Sequence, residues 1–432
     1  MNSVDQIVYA DYILTMDDEL SLIEDGGVVV KDGKIYHIGR SEDIKRRFTP
    51  KMTYGGRMKV LMPGLINTHT HAAMVFFRGM ADDMPLNTWL QEHIWPVERK
   101  MLSSEFVSAA VELAALEMVK AGITTYNDMY FFKDAAAIAT SKIGMRAVLG
   151  VGILDFPTKV ASTVDEYIAG AERFIKEWKG DELITPAVAP HALYTCGTDT
   201  LKRAKKLSEK YSTPVHIHLS ETQWEVGEIR KKHGMSPVSY LNSIGFLDEH
   251  VVAAHCVWLN DEEIEILSEK GVFVSHCVKS NLKLASGIAP VVKMLDSGVK
   301  VTFGTDGAAS NNTLDIIDEM SVAAKLHKAV SNDATALNDR LALLMATRWG
   351  AMALGIEEKT GSIEVGKDAD FILADLNKPH LTPIYDIYSH IVYAMRSSDI
   401  EYVTIRGDII VEDGRLKTMD EDEIMNKARY WQ

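Results

Sequence analysis

The sequence predicts an α/β fold: a (β/α)8 barrel accompanied by a small β unit built from the two chain ends. Three observations lead there. Between Val60 and Asp306, eight short apolar runs alternate with longer helical patterns, the signature of a parallel sheet wound by crossover helices. The segments on either side read as short strands with tight turns. Finally, six of the eight runs close on His, Asp or Glu, the end of the strands at which barrel enzymes assemble their active sites.

In chain order, Gln6 to about Val60 is strand-like: I-V-Y-A-D-Y-I-L-T-M, then G-G-V-V-V-K-D-G-K-I-Y-H-I-G, with Asp32-Gly33 as a hairpin turn between two β-rich runs. The barrel runs follow as Val60 to His71, Gly122 to Met129, Arg146 to Ile153, Ile184 to His191, Val215 to Glu221, Val251 to Val257, Val272 to Val278 and Val299 to Asp306. Ala323 to Leu354 reads helical throughout. After Lys359 the β pattern returns in T-G-S-I-E-V-G-K-D-A-D-F-I-L-A-D-L and Y-V-T-I-R-G-D-I-I-V-E-D-G, the second closed by another Asp-Gly. Two terminal β segments flanking a barrel fold most simply together. The expected division is therefore residues 1–60 and 359–432 in one composite β unit and 61–358 in the barrel.

Composition narrows the function. The chain has 432 residues, 47% hydrophobic and 25% charged, the make-up of a globular protein with a large core. Lys and Arg number 46 against 61 Asp and Glu, and the net charge of −15 repels nucleic acid and anionic membranes. The basic clusters Lys45-Arg46-Arg47 and Arg230-Lys231-Lys232 sit among acidic or polar residues as solvated helix faces. Three cysteines, Cys196, Cys256 and Cys277, form no C-x-x-C pair, so neither a disulfide framework nor a thiolate metal site is indicated. Acidic residues interrupt each apolar stretch of Met1 to Leu20, and no run reaches the roughly 18 apolar residues of a membrane span. A cytoplasmic protein is expected.

The chemistry begins in V-L-M-P-G-L-I-N-T-H-T-H. Side chains at i and i+2 share a strand face, so His69 and His71 point together while Thr70 faces away. Two imidazoles are half a metal site. His218 at the fifth strand end and Asp306 at the eighth complete a set of three imidazoles and one carboxylate, which suits zinc or ferrous iron and leaves a position for water. The third and fourth runs contain no lysine or carboxylate to bridge a second ion, which favours one metal. Glu221, three residues past His218, stays outside the ligand set but within reach of the water, as does His255 at the end of the sixth run. Asp306 can both bind metal and accept a proton. A metal that lowers the water pKa, with carboxylates to shuttle protons, is hydrolytic machinery. His276, the remaining strand-end histidine, is expected to buttress the site by a hydrogen bond.

These residues resemble the amidohydrolase superfamily, and within it the 5′-methylthioadenosine/S-adenosylhomocysteine deaminases, 5′-deoxyadenosine deaminase-like members included. P-G-L-I-N-T-H-T-H, H-I-H-L-S-E, A-A-H-C-V, V-S-H-C-V-K-S-N-L-K-L and G-T-D-G-A-A-S-N-N carry the resemblance, which spans essentially the whole chain. It implies a barrel with a β-sandwich formed by both termini and one Zn2+ per subunit held by His69, His71, His218 and Asp306, a set that also serves Fe2+ and Mn2+. Glu221 would relay a proton to the adenine ring, His255 would steady the nucleophile, and the purine amine would leave as ammonia. Glu98 in W-P-V-E-R matches the position that binds ribose hydroxyls, His191 in A-P-H-A-L-Y a second substrate position, and Trp89 would lie near them. The implied partner is a small-molecule nucleoside, in a homo-oligomer.

One departure bears on the substrate. Members that take S-adenosylhomocysteine carry arginines after the third strand for the amino acid carboxylate, yet Gly150 to Thr163 offers Lys159 as its only cation. A small neutral 5′ group, as in 5′-methylthioadenosine, 5′-deoxyadenosine or adenosine, is expected instead. The competing readings are hydrolysis of another heteroaromatic ring, such as guanine, cytosine or an s-triazine, and a hydrolase-like scaffold without activity.

Overall fold

The computed structural model describes residues 2–84 and 88–432. Among them, β5 (Leu65–Thr70), β6 (Ile123–Tyr130), β7 (Arg146–Ile153), β8 (Ile184–Pro190), β9 (Val215–Leu219), β10 (Val251–His255), β11 (Phe273–His276) and β12 (Val301–Phe303) pair in parallel and in sequence order. The barrel closes between its last and first strands. Across that seam the Asp306 N–H donates to the His69 carbonyl at 2.9 Å, the Thr68 hydroxyl to the Phe303 carbonyl at 2.9 Å, and the Thr305 N–H to Asn67 Oδ1 at 3.0 Å. Closure thus joins two of the predicted metal ligands through one backbone bond.

The termini form a second, mixed sheet. Its strands are β1 (Asn2–Leu14), β2 (Leu22–Lys31), β3 (Lys34–Arg40), β4 (Phe48–Pro63), β13 (Phe371–Asp375), β14 (Ile400–Ile405), β15 (Asp408–Glu412) and β16 (Arg415–Leu416). They pair in the order β16-β15-β14-β13-β4-β1-β2-β3 around a core that includes Val8, Val28, Leu61, Phe371 and Leu373.

Two sequence-based expectations change. Val60 to His71 is not one strand: Val60 to Pro63 end β4 and pair with β13, and only from Leu65 does the chain enter the barrel. Gly64 makes the turn possible, because a Cβ there would lie 2.1 Å from the Thr124 side chain. The helical stretch from Ala323 to Leu354 is divided among the helices Ile316–Ser331, Asp339–Ala346 and Arg348–Ala353. Asn332 ends the first in a left-handed conformation (φ 53°), and the Asn338 side chain caps the second by accepting the Leu341 N–H.

Polarity separates the two ends of the barrel. Near the starts of the strands, Ile66, Val148, Ala187 and Val252 pack with Leu354 and Ile356, while the imidazoles and carboxylates collect at the other end. Arg146, at the start of β7, ties the barrel to the second sheet. The guanidinium, 2% exposed, donates to Asp370 Oδ2 at 3.0 Å, to Asp368 Oδ2 at 2.9 Å and to the Glu182 carbonyl at 2.9 Å. Removing one partner strands a buried carboxylate, so Arg146→Ala is expected to cost about 3–5 kcal/mol in chemical denaturation. A loss below about 1 kcal/mol would show that the joint is held by other contacts.

A candidate metal and catalytic site

The ends of β5, β9, β10 and β12 bring His69, His71, His218, His255 and Asp306 together. His71 Nε2 and His218 Nε2 are 3.1 Å apart, and Asp306 Oδ1 lies 3.3 Å from His69 Nε2 and 3.4 Å from His71 Nε2. The tautomers follow from the partners of the other ring nitrogens. His71 Nδ1 faces the Met129 carbonyl at 2.7 Å and His218 Nδ1 the His191 carbonyl at 2.8 Å. A carbonyl only accepts, so both Nδ1 atoms carry the proton and both Nε2 atoms present lone pairs to each other. His69 Nε2, in a fully buried ring, has the Asp306 carboxylate at 3.3 Å as its neighbour.

Lone pairs facing one another in a buried space repel unless a cation lies between them. The donor set therefore fits a divalent metal, and nitrogen and carboxylate donors without thiolate suit zinc, iron or manganese. Two overlapping groups could hold the ion, His69 with His71 and Asp306, and His69 with His218 and His255. The short His71 to His218 contact joins them, so His255 competes geometrically for a place. Protonation separates the candidates. Burial pushes His69 down to about 4 and His218 well below its usual value, keeping both neutral. For His255 burial acts the same way, but the charges of Glu221 and Asp306 outweigh it and raise its pKa. Burial would raise Asp306, yet the neighbouring His69, His71 and His255 hold it well below the usual carboxylate range.

Backbone geometry is tight here. Ser220, His255, Cys256 and Asp306, none of them glycine, have φ between 48° and 74°, a clustering typical of functional sites. The strain at Ser220 is held by Glu225, whose carboxylate accepts the N–H groups of Ser220 at 3.2 Å and Glu221 at 2.8 Å. Thr222 caps the Gln223–His233 helix by accepting the Glu225 N–H, so helix start and strand end form one unit. Glu221 itself is 6% exposed, and burial raises its pKa. Its Oε2 lies 3.8 Å from His255 Nε2 and its Oε1 3.5 Å from the Ser286 hydroxyl.

A cavity of about 370 Å³ opens onto this cluster and is lined by His71, His191, His218, Glu221, His255 and Asp306 at its base and by Trp89 and Glu98 along its wall. The Glu98 carboxylate accepts a hydrogen bond from Tyr130, and burial raises its pKa against that bond. His191 bonds the Thr195 hydroxyl at 2.9 Å, and burial lowers it to about 3, so it offers a neutral ring. His276 does not join the site: its Nε2 meets His327 Nε2 at 3.0 Å, on the Ile316–Ser331 helix, so the expected buttress is missing.

Sequence reading missed the residues that hold these groups in place. Ser280 and Ser310 donate to Asp306 Oδ2 at 2.6 and 2.7 Å, and Oδ1, which accepts the Gly307 N–H at 2.7 Å, faces the cluster. His255 Nδ1 lies 2.9 Å from Asn281 Oδ1, and His69 Nδ1 lies 2.7 Å from His216 Nε2. Asp128 accepts the N–H of Ala72, the residue after His71, at 2.8 Å and is paired with the buried Lys133. The signal was present in part, since Ser280-Asn281, His216 and Ser310 all lie within the motifs that carry the ligands.

The chain is similar to known proteins over nearly its whole length. The model of the amidohydrolase family matches residues 60–410. A 5-methylthioadenosine/S-adenosylhomocysteine deaminase of Thermodesulfovibrio yellowstonii is 54% identical over 427 residues, 98% of this chain and 97% of that one. A 5′-deoxyadenosine deaminase of Methanosarcina acetivorans is 43% identical, again over 98% of this chain and 97% of its own. The crystal structure of an adenosine deaminase from Xanthomonas campestris with bound zinc superposes with a TM-score of 0.98 at 40% identity, covering 100% of this chain and 98% of that chain.

Proposed function

Since the chain belongs to the amidohydrolase family, we propose that it is a zinc-dependent aminohydrolase that deaminates adenosine-type nucleosides to the inosine analogue and ammonia. The observation that carries this reading is one cavity lined by both a cluster of imidazole and carboxylate groups able to hold a metal and a separate buried carboxyl, Glu221, beside it.

We assign the metal to His69, His71, His218 and Asp306. Zinc, when bound, acidifies the water that serves as nucleophile. The remaining chemistry belongs to the side chains. Glu221, buried and outside the ligand set, takes a proton from the attacking water and delivers it to the adenine ring nitrogen as the oxygen adds to C6, then takes the remaining hydroxyl proton and passes it to the departing amine, which leaves as ammonia. His255, held by Asn281, donates to the attacking oxygen, and Asp306 orients that oxygen through Oδ1. Glu98 takes the ribose hydroxyls, His191 bonds the purine, and Trp89 closes the wall beside them.

The direct test is loss of adenine absorbance with stoichiometric ammonia release from adenosine, 5′-deoxyadenosine and 5′-methylthioadenosine. Glu98→Ala separates a nucleoside from a free ring. A free guanine, cytosine or s-triazine has no use for a ribose-binding carboxylate, whereas a nucleoside loses a charge-assisted bond worth about 1.5–3 kcal/mol, or roughly 10- to 150-fold in KM. An unchanged KM would discard the nucleoside assignment.

Two further readings accompany it. Exposed Trp224, Trp258, Leu282 and Ile288 follow the ends of β9, β10 and β11, which supports association of copies of the chain, measurable by light scattering. Among the described residues no helix is long and apolar enough to cross a membrane, and the three cysteines are buried and unpaired, which supports a reducing cytoplasmic setting.

A further inference from the structure

The outer half of the cavity has a different chemistry from its base, and it is built from two pieces. One is the helix Trp95–Met101, which carries Glu98. Trp95 and Glu98, three residues apart, share a helix face, and both line the cavity. The other is the loop after β7, which contributes Leu154, Phe156 and Pro157. The rings of Trp95 and Phe156 meet at a centroid distance of 6.3 Å.

The loop is anchored on three sides. Asp155 accepts the Gly197 N–H and the Thr200 hydroxyl, both at 2.5 Å. From behind, the Tyr167 hydroxyl bonds the Phe156 carbonyl at 3.1 Å and Thr158 Oγ1 at 2.6 Å. In front, Lys159 Nζ donates to the carbonyls of Lys100 and Leu102 at 2.9 Å each, the end of the Glu98 helix, where free carbonyls and the helix dipole favour a cation. Lys159, the one cation of the loop, is thus committed to the helix. Among the described residues the cavity lining holds a single cation, Arg99, exposed and bonded through Nε to the Trp95 carbonyl at 3.3 Å.

We propose that this latched wall restricts the 5′ substituent of the substrate to a short uncharged group, and that Lys159 is the positioning residue that keeps it closed. The inference rests on the deaminase reading and on ribose binding at Glu98. The base and the 5′ carbon stand on the two carbons that flank the ribose ring oxygen, and the hydroxyls lie on the other face, so a base at the donor cluster with its hydroxyls at Glu98 carries the 5′ substituent to the outer wall of Trp95 and Phe156. A methyl or methylthio group gains apolar and sulfur–aromatic contact there. A homocysteine tail brings an ammonium and a carboxylate against two aromatic rings, of which Phe156 is 41% exposed, with one exposed guanidinium and no buried group of opposite charge to hold either of them.

The experiment is steady-state kinetics of the zinc-loaded protein on adenosine, 5′-methylthioadenosine and S-adenosylhomocysteine, for wild type, Lys159→Ala, Lys159→Arg and Phe156→Ala. Wild type is expected to favour 5′-methylthioadenosine over S-adenosylhomocysteine at least 100-fold in kcat/KM. Lys159→Ala and Phe156→Ala each narrow that ratio at least tenfold, chiefly through KM, and Lys159→Arg, which can still donate to both carbonyls, retains it. Equal use of the two thioethers by wild type overturns the proposal, as does a Lys159→Ala defect of the same proportion on all three substrates. If wild type deaminates none of the three, the deaminase reading falls and the selectivity with it.

Discussion

Glu221→Gln is expected to bind zinc in full and to turn over adenosine about 10³- to 10⁴-fold more slowly than wild type. The size follows from what a positioned proton donor and acceptor contributes to a hydrolysis. The variant separates two roles that sequence proximity to His218 confuses. Glu221 lies outside both groups of side chains able to hold an ion, and its contacts are to His255 and Ser286. Glutamine keeps the shape, and an amide oxygen can still accept the Ser286 hydroxyl, but it cannot carry a proton from water to the ring. Metal analysis alongside kcat decides the matter. A variant that loses its zinc would place Glu221 among the ligands, and one with wild-type kcat would remove it from the chemistry.

Chelation supplies the second large effect. The metal-free protein is expected to be inactive, to recover activity with added zinc, and to melt several degrees lower. A ligand present at a thousand times its Kd stabilises the fold by about 4 kcal/mol. What is lost is the cation that the Asp306 carboxylate, His69 and the opposed lone pairs of His71 and His218 would share.

Acid should magnify this. His69 is held down to about 4, His191 to about 3 and His327 to about 4, each chiefly by burial, so the folded chain binds fewer protons than the unfolded chain between those values and about 6.5. Their contribution is fully present above pH 6.5 and is lost as the pH falls toward 4. Thermal melts of metal-free protein from pH 8 to 4 should therefore drop steeply below about 6.5. A chelated sample that melts like the zinc-loaded one at every pH would contradict the assignment.

Much of this was readable before any coordinates. Alternating apolar runs and helical patterns imply parallel strands with helices on the outside, and polar residues at run ends mark the catalytic mouth. The i, i+2 spacing of His69 and His71 needs only a strand to aim both rings one way. Sequence pattern misled where a local signal was overridden: Val60 to His71 has one continuous apolar character, yet Gly64 divides it between two sheets because Thr124 leaves no space for a side chain. His276 ends a strand as the other histidines do, and only packing turned it toward His327.

The sequence by itself thus determined the type of fold, the mouth of the barrel and the donor atoms available there, because these depend on periodicity and residue chemistry along short stretches. Tertiary structure alone decided which nitrogens carry protons, since the carbonyls of Met129 and His191 that settle the tautomers come from distant strands. It also decided that Ser280 and Ser310 occupy one oxygen of Asp306, and that Lys159 bonds the end of the Glu98 helix. Hydrogen bonds act over about 3 Å between groups that the chain order leaves far apart, so their partners exist only once the barrel has closed.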